Sequence, residues 1–150
     1  MCGIVGVASN LGVSNKLVNW AEEASRSLMH RGPDDKGLLL SENKKICFAH
    51  RRLTIIDLSK AGHQPLVSQS KRFSIVFNGE IYNFKFLRDE LIKYGYDFHS
   101  SGDSEVVLNI IDLEEFFLLD QRNQTPSCNF AQAATKSLIL GLLLQNYLRA

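Results

Sequence analysis

The second residue of the chain is a cysteine, Cys2. A thiolate is a strong nucleophile, but a free thiol has a pKa near ~8.5 and is mostly protonated at neutral pH. It therefore needs a base beside it. Position 2 offers one that requires no other side chain. The small side chain of Cys2 favours removal of Met1, which leaves Cys2 with a free α-amino group of pKa about 7.7–8.0. One residue then carries both nucleophile and base, as in the N-terminal threonine arrangement. The plain alternative is a buried or frayed terminus. Attack on an acyl group also needs donors aimed at the oxyanion of the tetrahedral intermediate. Asn78–Gly79 supplies a side-chain amide and a backbone N–H at the end of an apolar run. Its plain reading is an ordinary turn. Arg52, Glu80 and Asp103 complete the set. An arginine forks onto a carboxylate and a carboxylate pairs with an ammonium, the two charged ends of an amino acid. Each has a plain reading too, as surface charge, with Asp103 a helix cap.

Other chemistries find less support. His30, His50, His63 and His99 show no metal pairing of the i, i+4 kind and read as structural or loop residues. Ser101–Glu105 (SGDSE) lacks the glycine spacing and the lysine of a P-loop, so nucleotide binding there is rejected. Cys2, Cys47 and Cys128 form no CxxC and no zinc spacing, which predicts a reducing, cytoplasmic setting. Seventeen Lys+Arg against sixteen Asp+Glu leave a formal charge of +1, too little to recruit nucleic acid or a membrane surface. No signal peptide is expected. The apolar run Leu138–Leu144 is far short of the ~20 residues a membrane span needs. With 150 residues, 45% hydrophobic and 22% charged, the chain reads as one globular domain able to bury a core.

The elements that must position these groups follow from patterning. Ile4–Ala8 reads as a buried strand. Ser14 caps a helix with Leu17, Ala21, Ala24 and Leu28 near helical spacing. Met29–Gly37 is a loop, and Gly37–Leu40 pairs with Ile46–His50 as a hairpin around Ser41–Lys45. Leu53–Ile56 is a further β-branched run. Phe73–Phe77 is a strong strand ending at Asn78–Gly79, a turn pair that tolerates positive φ. Asn83 caps a helix with Phe84, Leu87, Leu91 and Tyr94 on one face, stopped by Gly95. Asp103 caps a third helix from Ser104, with Val107, Ile110 and Ile111 inward. This order predicts α+β with a largely antiparallel sheet.

Six motifs occur in fixed order: Met1–Gly6 (MCGIVG), His30–Asp34 (HRGPD), His50–Ile56 (HRRLTII), Gln64–Leu66, Asn78–Asn83 (NGEIYN) and Ser101–Glu105. Together they resemble the glutaminase domain of the class II glutamine amidotransferases, most of all the asparagine synthetase branch. The resemblance implies an N-terminal-nucleophile fold of four layers, with two antiparallel sheets between helices. It implies that Cys2, exposed by processing, attacks the side-chain amide of glutamine with its own amino group as base. Asn78 and Gly79 match the oxyanion hole. Arg52, helped by backbone around Ile55 and Ile56, matches the clamp on the glutamine α-carboxylate, and Glu80 and Asp103 match the α-amino site. Hydrolysis through a cysteinyl thioester needs no cofactor in this chain. ATP and magnesium belong to the family's synthetase domain, which with a second copy of the chain is the partner the family implies.

The resemblance covers roughly residues 1–110. Past the helix at Asp103 the family continues with further strands that do not follow here, and no Ser-Gly-Gly-x-Asp-Ser loop occurs. Residues 1–112 are therefore expected to form a partial glutaminase domain, incomplete at its C-terminal end. Residues 113–150 read as a divergent tail, helical or disordered. Competing readings are a catalytically inactive remnant or binding module, and the glutaminase part of a purine, hexosamine or sugar-amidating relative.

Overall fold

A computed structural model describes residues 1–120, with side chains through residue 113. Of the tail expected at 113–150, residues 113–120 continue the last described helix and the rest lies outside the described residues. Sheet A has three antiparallel strands, β1 (Gly3–Ala8), β2 (Asp35–Leu40) and β3 (Ile46–Arg52), in the order β1-β3-β2. Sheet B is a two-stranded antiparallel pair, β4 (Leu66–Val67) and β5 (Ser74–Ile75). Three helices accompany them: α1 (Asn15–Ser27), α2 (Phe84–Lys93) and α3 (Ser104–Asp120). The α+β class with antiparallel sheets is what patterning predicts.

The central strand β3 alternates between two faces, as pleating requires. Cys47 packs with Val13 and Ala21 beneath α1, and the Arg51 Nε donates to the Ser25 carbonyl at 3.2 Å. His50 and Arg52 face the opposite way and are buried as well. The register pairs Gly3 with Arg51 and Asp35 with Arg52, which carries the start of the chain to the end of β3. The hairpin therefore extends beyond Gly37–His50, to Asp35 and Arg52.

Helix α1 is capped by the Ser14 hydroxyl, which accepts from the Leu17 amide at 3.4 Å. Its inward face differs from the spacing argument. Ala21 and Ser25 are buried, while Leu17 and Trp20 stay exposed. Small residues let the helix lie close on the sheet, and the bulky ones are left outside. Helix α2 buries Leu87 and Leu91 as expected, but Tyr94 remains half exposed. It ends in a Schellman motif: Gly95, at φ 87°, donates to the Ile92 carbonyl, and Tyr96 to that of Leu91. Two caps are corrected. The Asn83 side chain makes no cap bond, although its carbonyl accepts from the Leu87 amide. Asp103 starts α3 through its carbonyl, which accepts from the Val107 amide, while its carboxylate turns elsewhere.

Two strand expectations also shift. Phe73–Phe77 is regular only at Ser74–Ile75, because its partner after Pro65 is two residues long. Phe73, Ile75 and Phe77 still point together into a cluster with Val107 and Leu108 of α3. The Phe77 amide donates to the Gln64 Oε1 at 2.6 Å rather than to a strand. Leu53–Ile56 is not a strand. The chain leaves sheet A after Arg52, and Ile55 and Ile56 are exposed.

Candidate active site

The residues just before β1, the segment after β3, the segment after β5 and the start of α3 surround one cavity of about 330 Å³. That is the small end of the range for ligand pockets. All eight residues singled out from the sequence line it: Cys2, Arg52, Ile55, Ile56, Asn78, Gly79, Glu80 and Asp103.

Cys2 is placed by β1 and held from two sides. Its main-chain nitrogen donates to the Asn78 Oδ1 at 3.0 Å. Its Sγ accepts from the Leu53 amide at 3.3 Å and lies 3.9 Å from the Leu53 carbonyl. With Oδ1 engaged, the Nδ2 end of Asn78 is the end left to donate. Gly79 does not have positive φ. Its glycine is needed for a different reason: a Cβ there would stand 2.7 Å from the Phe77 ring.

Arg52 is buried, and its guanidinium is anchored by main chain. Nη1 donates to the Ser59 carbonyl at 2.8 Å and Nη2 to that of Asp57. Gly62 makes room for it, since a Cβ would lie 2.1 Å from Nη2. Of the five N–H donors of an arginine, two are used, and a carboxylate can be forked by the remainder. On the far wall Asp103 is also buried, and its Oδ2 accepts from the Ile81 amide at 3.0 Å. Asp103 thereby fixes the segment that carries Asn78–Glu80. Glu80 is exposed toward the cavity.

Two residues with no role in the sequence reading hold these walls together. Asp57 is buried; its Oδ1 accepts from the Ser59 amide at 2.7 Å and its Oδ2 from the Ser101 amide at 2.9 Å. Burial pushes its carboxyl up, but hydrogen bonds from the Ser59 hydroxyl and amide and the Ser101 amide, with the Arg52 charge, hold it below its ordinary value. The anion thus ties the arginine side of the cavity to the Asp103 side. Gln64 is buried between Phe77 and Ser104, with its Nε2 donating to the Ser104 Oγ at 3.2 Å. Both bond to main chain or to a hydroxyl distant in sequence, and no local spacing marks such partners.

The histidines take up structural contacts. His63 Nδ1 lies 2.7 Å from Asp35 Oδ2, and His30 Nδ1 lies 3.0 Å from the Ser27 carbonyl. His50 is fully buried, and burial pushes its pKa down to about 4 against the pull of Asp35 and of the Phe77 main chain. Among the described residues no group of His, Cys, Asp and Glu is arranged to hold a metal ion. Nor is any helix among them long and apolar enough to cross a membrane.

The chain belongs to the glutamine amidotransferase domain family, whose model matches residues 1–115. Over the same residues it is similar to glutamine-hydrolyzing asparagine synthetases. Asparagine synthetase B [glutamine-hydrolyzing] of Escherichia coli is 44% identical over 110 residues, covering 72% of this chain and 19% of its own length. Asparagine synthetase [glutamine-hydrolyzing] 1 of Bacillus subtilis is 40% identical over 110 residues, covering 72% of this chain and 17% of its own. Asparagine synthetase [glutamine-hydrolyzing] 2 of Arabidopsis thaliana is 38% identical over 138 residues, covering 83% of this chain and 23% of its own. The chain thus spans about a fifth of the length of these relatives.

Proposed function

We propose that this chain hydrolyses the side-chain amide of glutamine to glutamate and ammonia, as the ammonia-supplying part of an asparagine synthetase-type amidotransferase. The observation that carries this reading is the convergence of Cys2, Asn78, Gly79, Arg52, Glu80 and Asp103 on one small cavity.

Removal of Met1 turns the Cys2 nitrogen into a free amine, 3.0 Å from the Asn78 Oδ1. The thiol proton passes to that amine and Sγ attacks the amide carbon of glutamine. The oxyanion that forms accepts from the Asn78 Nδ2 and the Gly79 N–H. The ammonium of Cys2 gives its proton to the amide nitrogen, and collapse breaks the C–N bond so that this nitrogen leaves as ammonia. A γ-glutamyl thioester is left on Sγ. Water then attacks it, the same amine takes the water proton, and glutamate leaves as the thiol is restored. Arg52 and the backbone at Ile55 and Ile56 grip the substrate α-carboxylate, while Glu80 and Asp103 pair with its ammonium. These steps use only groups of this chain and water, in the cytoplasm, with the order of layers of an N-terminal-nucleophile fold. Residues 1–112 form the unit that does this chemistry. The ammonia serves a synthetase domain that activates the acceptor with ATP and magnesium.

The test is glutamate release from glutamine by purified chain whose mass shows Met1 removed. The reading expects release by the wild type and none by Cys2→Ala. Release that survives Cys2→Ala, or none from folded and processed wild type, overturns it.

A further inference from the structure

The loop His30–Asp34 carries a sequence motif, yet none of its residues lines the cavity. Its contacts run to the segment that holds the sulfur. The Asp34 amide donates to the Arg52 carbonyl at 3.1 Å, extending the β2–β3 ladder by one bond. At the next position the side chain takes over. Asp34 Oδ2 accepts from the Thr54 amide at 2.8 Å and from the Thr54 hydroxyl at 2.7 Å. Gly32 lies against the same stretch, for a Cβ on it would stand 2.4 Å from the Arg51 carbonyl oxygen. Leu53 is therefore pinned on both sides, by Asp34 at Arg52 and again at Thr54. Its own amide points at Cys2 Sγ, 3.3 Å away.

We propose that Asp34 is a positioning residue for the nucleophile: through its two bonds to Thr54 it fixes the Leu53 amide so that this amide donates to the Cys2 sulfur. A donor that bonds the anion favours the thiolate over the thiol. The thiol, once its proton has moved to the Cys2 nitrogen, meets the Leu53 N–H as its fixed partner. Without the side-chain clamp only the Asp34 amide on the Arg52 carbonyl holds this stretch, the Leu53–Thr54 peptide can turn, and the Leu53 N–H loses its fixed aim at the sulfur. The geometry around Asp34 explains why this loop needs glycine and aspartate two residues apart. The catalytic consequence rests on the glutaminase reading above, but the effect on the sulfur does not.

Peptide-resolved alkylation of Cys2 by iodoacetamide in the full chain tests this without any substrate. The readout is the rate at about pH 7 relative to that of free cysteine under the same conditions. Asp34→Ala should lower this ratio about tenfold, Thr54→Val should lower it less, and Asp34→Asn, which keeps an acceptor oxygen, should restore most of it. In turnover, kcat should fall with the KM for glutamine little changed. An unchanged ratio in folded Asp34→Ala overturns the proposal. Should that variant not fold, unchanged ratios in both Asp34→Asn and Thr54→Val overturn it equally. A lowered ratio in a chain that releases no glutamate sinks the glutaminase reading and leaves the role of Asp34 standing.

Discussion

Asn78 accepts from the Cys2 nitrogen through Oδ1, so its opposite end is the one that can donate to a developing oxyanion. Asn78→Ala should therefore lower kcat about 10²- to 10³-fold while the KM for glutamine moves little, as steady-state glutamate release would show. The role proposed for Arg52 is in binding instead. Its guanidinium is already seated on the carbonyls of Asp57 and Ser59, with Gly62 giving it room. A lysine in its place cannot span those two carbonyls and fork a carboxylate as well. Arg52→Lys should raise the KM for glutamine by about tenfold or more, with a smaller change in kcat. At this scale the eight residues that gather at the cavity were legible, because their types fit one reaction and their motifs resemble one family. Asp57, Gln64 and Leu53 were not. Each acts through main-chain or buried polar contacts, such as the 44-residue jump from Asp57 to Ser101. Gly79 was legible for the wrong reason, since close approach to Phe77 and not positive φ excludes a side chain there.

The elements matter for how the site responds to pH. His50 sits buried on β3, and burial pushes it down to about 4 from 6.5. The folded form therefore binds this proton less readily than the unfolded one. Its stabilising effect is full above about pH 6.5 and is lost as pH falls toward about 4, by on the order of 3 kcal/mol. Urea unfolding should show a lower midpoint at about pH 5 than at about pH 7, and His50→Gln should flatten that difference. Asp34 and Asp57, both held below the ordinary carboxylate range, lose their contribution only at still lower pH. The order of elements was readable from periodicity and from Ser14 and Gly95. Their lengths and inward faces were less so. The Phe73–Phe77 run has strand character throughout, but strand length is set by the partner, and Pro65 leaves β4 only two residues. On α1, closeness to the sheet selects Ala21 and Ser25 over the larger Leu17 and Trp20.

Among the described residues, sheet B is two strands of two residues, and sheet A has three strands. Such small sheets draw much of their stability from the helices packed on them. Large apolar side chains remain outside, among them Leu11, Leu58, Tyr82 and Phe86. The isolated chain should melt at or below about 60 °C by calorimetry, and a cooperative melt well above that would contradict this view of its packing. The near-neutral charge of +1 adds little repulsion to keep copies apart. The decisive measurement lies at the sulfur itself. Acid quenching during glutamine turnover, followed by peptide mass analysis, should find a γ-glutamyl group on Cys2 alone, removable by hydroxylamine. Glutamate released steadily with no acyl group on that peptide, or with the acyl group on another residue, would contradict the account.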